Sequence, residues 1–272
     1  MNDMIIDSHL HLPIIKGKGS CKGSFEQAKK KLLSDLKKNK IDYAILIPDN
    51  VLGSLIGDLS VCLELVKGTK KLFLLGTIYL PTQGREWIRK LDVLFKKGRI
   101  KGIKIFPGHD PIYPTDRRLI PVYRLCVKHG LPIVIHTGWN SNHPEVAKYN
   151  DPKHIIKIAK KFPELKIIIA HYFWPGIEYC YEITRPFKNI YFDTSGLADD
   201  EVIRETGLNR IKTILEKTIN DNPESVLFGS DYATCSLKKH LNLIHSLKAS
   251  KEIKEKILWK NSVKLFKLRI RK

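Results

Sequence analysis

The chain has 272 residues, 43% of them hydrophobic, which is enough for one large core and excludes a disordered chain. Lys and Arg total 48 against 28 Asp and Glu, and the resulting net charge of +20 could attract nucleic acid, anionic membrane or acidic substrates. Most of that charge is lysine spread along helix-like stretches such as AKKKLLSDLKKNK (28–40), and no nucleic-acid module is visible, so it reads as solvated helix surface.

In chain order, apolar runs of buried-sheet type fall at 4–12, 43–48, 71–80, 100–106, 131–138, 166–173, 190–196 and 226–232. Helical patterns separate most of them. The first spans 24–40 with Ser24 as its N-cap; others span 85–97 and 118–129, stopping before Gly98 and Gly130. Further helices are predicted at 153–162, 200–219, 237–248 and 251–268. Pro175 and Pro186 weaken the pattern between the sixth and seventh strands. The basic, glycine-rich KGKGSCKG (16–23) reads as a mobile loop after the first strand.

Eight such strands alternating with helices predict an α/β fold, a (β/α)8 TIM barrel, with residues 1–272 forming a single domain. The open doubly wound sheet is the alternative, but no glycine-rich phosphate loop follows the first strand. The five cysteines are odd in number, scattered and free of CxxC pairs. They read as reduced thiols of a cytoplasmic protein, with a reactive role left open for Cys235. No signal-peptide pattern precedes IIDSHLHL, and no apolar run is long enough to span a membrane.

A barrel carries its chemistry where strands end. Polar residues recur at those positions: His9 and His11 on strand one, Lys104 on strand four, His136 on strand five, His171 on strand six and Asp231 on strand eight. Alternation along strand one would put Asp7, His9 and His11 on one face. Any one of these residues could be a satisfied core polar group or a turn cap. Their recurrence points to a site for a divalent transition metal, since imidazoles and carboxylates suit Zn2+ as well as Mn, Fe or Co. Trp139, Asn140, His109, Tyr172, Phe173 and Trp174 fall in the loops beyond the strands, where they either wall a substrate pocket or pack beneath loops. The remaining histidines, at 129, 143, 154, 240 and 245, read as surface or packing residues.

The stretches IIDSHLHL, GIKIFPG, YRLCVKHGLPIVIHTG, IIIAHYF, NIYFDTSG, VLFGSDY and ILWKNSVKLF resemble, in order and over nearly the whole chain, the amidohydrolase superfamily. More narrowly they are similar to its amidohydrolase 2 branch, which includes aminocarboxymuconate semialdehyde decarboxylase and resorcylate-type decarboxylases. The resemblance implies His9, His11, His136 and Asp231 as metal ligands. It implies His171 as catalytic acid/base, with Asp231 also accepting a proton from water, and Asn261 as structural. One metal per chain, most simply Zn2+, is implied. A second would require a carboxylated, bridging Lys104, as in other branches; otherwise Lys104 contacts an anionic substrate or a site carboxylate, or is structural. Asp7 is left as an orienting partner of a ligand histidine or as a structural residue.

The implied activity is hydrolysis of a small amide, ester or lactone. Non-oxidative decarboxylation of a small unsaturated or aromatic carboxylate is the alternative, because the same residues serve both. The TatD-type DNases share HxH and the late aspartate, but they place a glutamate ligand at strand four, where this chain has KGIKIFPG. The expected partner is therefore a small-molecule substrate and not nucleic acid, and the family leans toward homodimers.

Overall fold

The computed structural model describes residues 4–14, 22–139 and 143–270. The expected loop at 16–23 lies largely outside them, as does Asn140, and the first helix, Lys22–Lys38, already runs past Ser24, which is therefore not its N-cap.

Eight parallel strands follow one another around a ring. They are β1 (Ile6–Leu10), β2 (Tyr43–Leu46), β3 (Leu72–Leu74 continuing as Gly76–Thr77), β4 (Ile103–Ile105), β5 (Ile133–Ile135), β6 (Ile167–Ile169), β7 (Ile190–Asp193) and β8 (Val226–Leu227). Each pairs in parallel with the next. At the break in β3, Leu75 donates to Leu46 O on one side and Gly76 to Gly102 O on the other, so the ring stays continuous. It closes between β8 and β1, where Ser8 N donates to Phe228 O at 2.9 Å and Asp231 N to His9 O at 2.9 Å. The fold is the (β/α)8 barrel that the alternation of apolar runs and helices predicts.

Alternation along each strand builds two apolar layers. Ile6, Ile45, Leu75, Val134, Ile168 and Leu227 form an inner one, against which Leu265, Phe266 and Leu268 pack. Leu46, Leu74, Ile103, Ile105, Ile133, Ile135, Ile167, Ile169 and Phe192 face the surrounding helices. Lys104 lies between two outward residues and opposite Val134, so its fully buried side chain points into the barrel.

Several helices differ from expectation for local reasons. The sequence pattern predicted no helix between β2 and β3, yet Leu59–Leu65 forms one because the Asp58 carboxylate accepts from Ser60 N and Val61 N. The predicted helix 200–219 is two, Asp200–Thr206 and Leu208–Asp221, broken at Gly207 with φ +88°. The doubtful connection after β6 contains the helix Ile177–Thr184, which fits between the two prolines. The last predicted helix, 251–268, carries a π-helical turn at Lys256–Lys260 between Lys251–Glu255 and Asn261–Phe266. Asn261 there donates to Pro223 O and Val226 O, fixing the start of β8. Among the described residues, no helix is long and apolar enough to cross a membrane.

Candidate metal centre and its cavity

The opening motif works through a bulge. Asp7 pairs with Ala44 and Leu10 with Leu46, so Ser8 and His9 together stand opposite Ile45 alone. The extra residue flips the alternation. Asp7 therefore does not share a face with His9 and His11, contrary to the simple period-two reading. Its carboxylate instead accepts from Ser230 Oγ, Ser230 N and His9 N, tying β1 to the end of β8. Burial raises the Asp7 carboxyl to about 7.

His9, His11 and Asp231 come together beyond the bulge, with one ligand atom from each lying within 4.8 Å of the others. Asp231 Oδ1 is 3.5 Å from His9 Nε2 and 3.6 Å from His11 Nε2. The other ring nitrogens are already engaged: His9 Nδ1 meets Asp193 Oδ2 at 2.7 Å, and His11 Nδ1 meets Ile47 O at 2.9 Å. A carbonyl or ionised carboxylate can only accept, so Nδ1 carries the proton in both rings and each Nε2 presents a lone pair, that of His9 toward Lys104 Nζ at 3.4 Å. Burial holds both imidazoles neutral, His9 down to about 3. Asp231 stays ionised, at about 2, because the surrounding imidazoles and Lys104 offset its burial. Two neutral nitrogens and one carboxylate oxygen converging on one point fit a divalent cation.

The other predicted residues surround this group. Ring centroids run His11–His9–His171–His136–His109 at successive spacings of 5.6, 4.9, 4.8 and 4.4 Å. His136 thus neighbours His171 and is not one of the three residues whose ligand atoms cluster. Lys104 Nζ is 3.4 Å from His9 Nε2, and burial lowers its ammonium to about 8. His171 follows β6 in a turn where His171, Tyr172 and Phe173 all take left-handed φ values of 62°, 55° and 56°. That turn aims the imidazole at His9 and engages its Nδ1 with Ser195 O at 3.2 Å and Ser195 Oγ at 2.9 Å.

Sequence reasoning missed Asp193 and Ser195. Asp193 ends β7, and its carboxylate accepts from His9 Nδ1, from the backbone nitrogens of His171 and Ser195 at 3.2 Å each, and from Ser195 Oγ. It is the carboxylate that orients His9, the role weighed for Asp7. The signal was present in IYFDTSG: an acid directly after an apolar run, as at the other strand ends. Gly229 leaves room for this cluster, since a Cβ there would lie 2.9 Å from His9 Cβ. Replacing Asp193 by Asn is expected to weaken metal affinity about 10- to 100-fold, the usual effect of losing a ligand's orienting partner. Chelator competition measures this, and an unchanged affinity would remove Asp193 from the site.

A cavity of about 750 Å3 opens over the site, lined by His11, Lys104, His136, His171 and Asp231 together with apolar Leu12, Ile14, Val51, Ile56 and Phe106. His109 also lines it, whereas Trp139 and Trp174 do not. They line a second, smaller chamber that shares His136, His171, Asp231 and Thr234 with the first. Cys235 is in that chamber, but burial and Asp231 push its thiol up to about 12, so it is not poised as a thiolate.

The buried imidazoles set an acid limit on the fold. His9, His11, His109, His136, His171 and His240 all titrate below the ordinary 6.5, chiefly through burial. Below pH 6.5 the unfolded chain therefore binds more protons than the folded one, and stability falls as pH drops from 6.5 toward the lowered values. Asp193 and Asp231, held below 3.8, act in the same direction at lower pH. Asp7 and Asp110, raised to about 7 and about 6, act oppositely: their contribution is full below 3.8 and is lost as pH rises through those values. The imidazoles outnumber them, so the melting temperature of chelated protein is expected to fall between pH 7 and 5. A constant or rising value would contradict this.

A barrel whose strand ends bring together histidine and aspartate side chains able to hold a metal is the arrangement of metal-dependent barrel enzymes. The amidohydrolase family profile (Amidohydro_2) matches residues 57–268, and the chain belongs to that family, whose members are metal-dependent enzymes. No curated protein matches the chain. Solved structures share its fold. An uncharacterized TIM-barrel protein from Bordetella bronchiseptica has a TM-score of 0.75 at 21% identity, covering 97% of this chain and 98% of its own. A 4-oxalomesaconate hydratase from Rhodopseudomonas palustris has 0.69 at 18%, covering 97% and 96%. A 5-carboxyvanillate decarboxylase from Novosphingobium aromaticivorans, complexed with manganese and 4-hydroxy-3-methoxy-5-nitrobenzoic acid, has 0.67 at 15%, covering 98% and 97%.

Proposed function

We propose that the protein is a metal-dependent hydrolase acting on a small amide, ester or lactone. The observation that carries this reading is the convergence of two neutral imidazole nitrogens and the Asp231 carboxylate beneath a cavity large enough for an organic substrate. His9, His11 and Asp231 would hold the cation, with His136 as a further ligand, and the donor set suits Zn2+ best. When bound, such a cation lowers the pKa of a coordinated water from ~15.7 toward ~7.

The chain's own residues then divide the proton work. Asp231 is ionised and accepts the proton from the attacking water. His171 spends its Nδ1 proton on Ser195 O, so its Nε2 can take that same proton over from Asp231 and deliver it to the leaving group. Lys104, buried and cationic, attracts an anionic group or the developing negative charge on the carbonyl oxygen. Four free cysteines among the described residues suit a reducing compartment, and we place the protein in the cytoplasm.

Non-oxidative decarboxylation is the second reading, favoured by the decarboxylase among the structural neighbours and by Lys104, which could anchor a carboxylate. The experiment is to incubate metal-loaded protein with amides, esters and lactones on one side and with unsaturated and aromatic carboxylates on the other. Chelator-sensitive hydrolysis without CO2 release is expected; metal-dependent CO2 release would replace the first reading by the second.

A further inference from the structure

Two chambers meet on the same four residues. His136, His171, Asp231 and Thr234 line both the 750 Å3 cavity and a second of about 280 Å3. The walls of the smaller one are Trp139, Trp174 and Val202, with Asp199 and Glu201. In a chain of net charge +20, no lysine or arginine among the described residues lines this chamber beside the reacting centre. Its aromatic walls are built in place: Trp139 N donates to Trp174 O at 2.9 Å, and Gly138, at φ +100°, lets the Trp174 ring lie against its Cα, where a Cβ would be 3.2 Å from Cδ1. Indole faces beside carboxylates favour an organic cation over a neutral or anionic group.

A reaction that only releases CO2 needs one chamber for its substrate. Cleavage into two sizeable fragments uses two. We propose that the substrate is a two-part amide or ester whose scissile bond lies across His136, His171 and Asp231, with one half in each chamber, and that the half in the small chamber carries an ammonium group. This rests on the hydrolase reading. Water's oxygen becomes bonded to the acyl carbon, the C–N or C–O bond breaks, and the proton lost by water ends on the leaving nitrogen or oxygen. The products are a carboxylic acid and an amine or alcohol, with no change of oxidation state. The large chamber, lined by apolar Leu12, Val51, Ile56 and Phe106 as well as by Lys31, Lys104, Asp49 and Asp110, takes the other half.

The test is equilibrium binding to the metal-loaded protein of three probes of similar size: benzylammonium, benzyl alcohol and benzenesulfonate. Benzylammonium is expected to bind at least about tenfold tighter than benzyl alcohol, with benzenesulfonate weakest. Glu201→Gln should reduce that preference, and Val202→Phe, which fills the small chamber, should remove benzylammonium binding while metal content stays unchanged. Equal binding of the three probes overturns the proposal, as does a cation preference that survives both substitutions. Binding does not depend on turnover, so the two readings fail separately. If the cation preference holds but carboxylates lose CO2 and no amide or ester is cleaved, the hydrolase reading and the two-part cleavage fall together, while the chamber's ligand stands.

Discussion

Asp231→Ala is expected to strip the metal from the protein and abolish turnover while leaving the barrel folded. In the proposed site the side chain supplies both the anionic ligand and the acceptor for water's proton, so one substitution removes two functions. Its Oδ1 is the atom that joins the two imidazoles, at 3.5 and 3.6 Å. We expect metal content below about a tenth of wild type, because ligand loss at a deprotonated N/O site directly lowers affinity. Turnover should fall at least about 1000-fold, since water near its ordinary pKa is a poor nucleophile. Asp231 adopts a left-handed φ of 58°, which alanine tolerates poorly, so Asp231→Asn is the companion variant that preserves backbone preference and shape. Circular dichroism and elemental analysis of both variants separate loss of metal from loss of fold.

His171 should behave differently. His171→Asn is expected to keep most of the metal and to lose about 100- to 10,000-fold in kcat, the usual contribution of a positioned acid or base. Asparagine is chosen because the position has φ 62°. The imidazole lies between His9 and His136 without belonging to the three-residue ligand group. An empty metal site in this variant would make His171 a ligand, and the proton transfers assigned to it would have to move elsewhere.

The barrel was legible because a closed parallel sheet buries both faces of every strand, and eight continuous apolar runs are its direct imprint. The polar residues interrupting those runs were equally visible, which is why His9, His11, His136, His171, Lys104 and Asp231 could be named from strand ends alone. What the sequence concealed was geometry set by single residues. The bulge at Ser8–His9 is invisible to a period-two pattern, so Asp7 read as a neighbour of the histidines when it faces Ser230. Asp193 closes the apolar run of NIYFDTSG, and only the fold brings it to His9 from 184 residues away. The division of the aromatic loops was also beyond the pattern. Trp139 and Trp174 follow different strands, yet a hydrogen bond between their backbones places both on one chamber.

The measurement that bears most directly on this account is the metal content of wild-type protein purified without chelator or added metal, determined by elemental analysis. About one divalent transition metal per chain is expected from a single site of this donor set. A value near two would require Lys104 to become a bridging ligand. No metal, and none taken up on titration with Zn2+ or Mn2+, would contradict the account, leaving the paired histidines of β1 as structural residues.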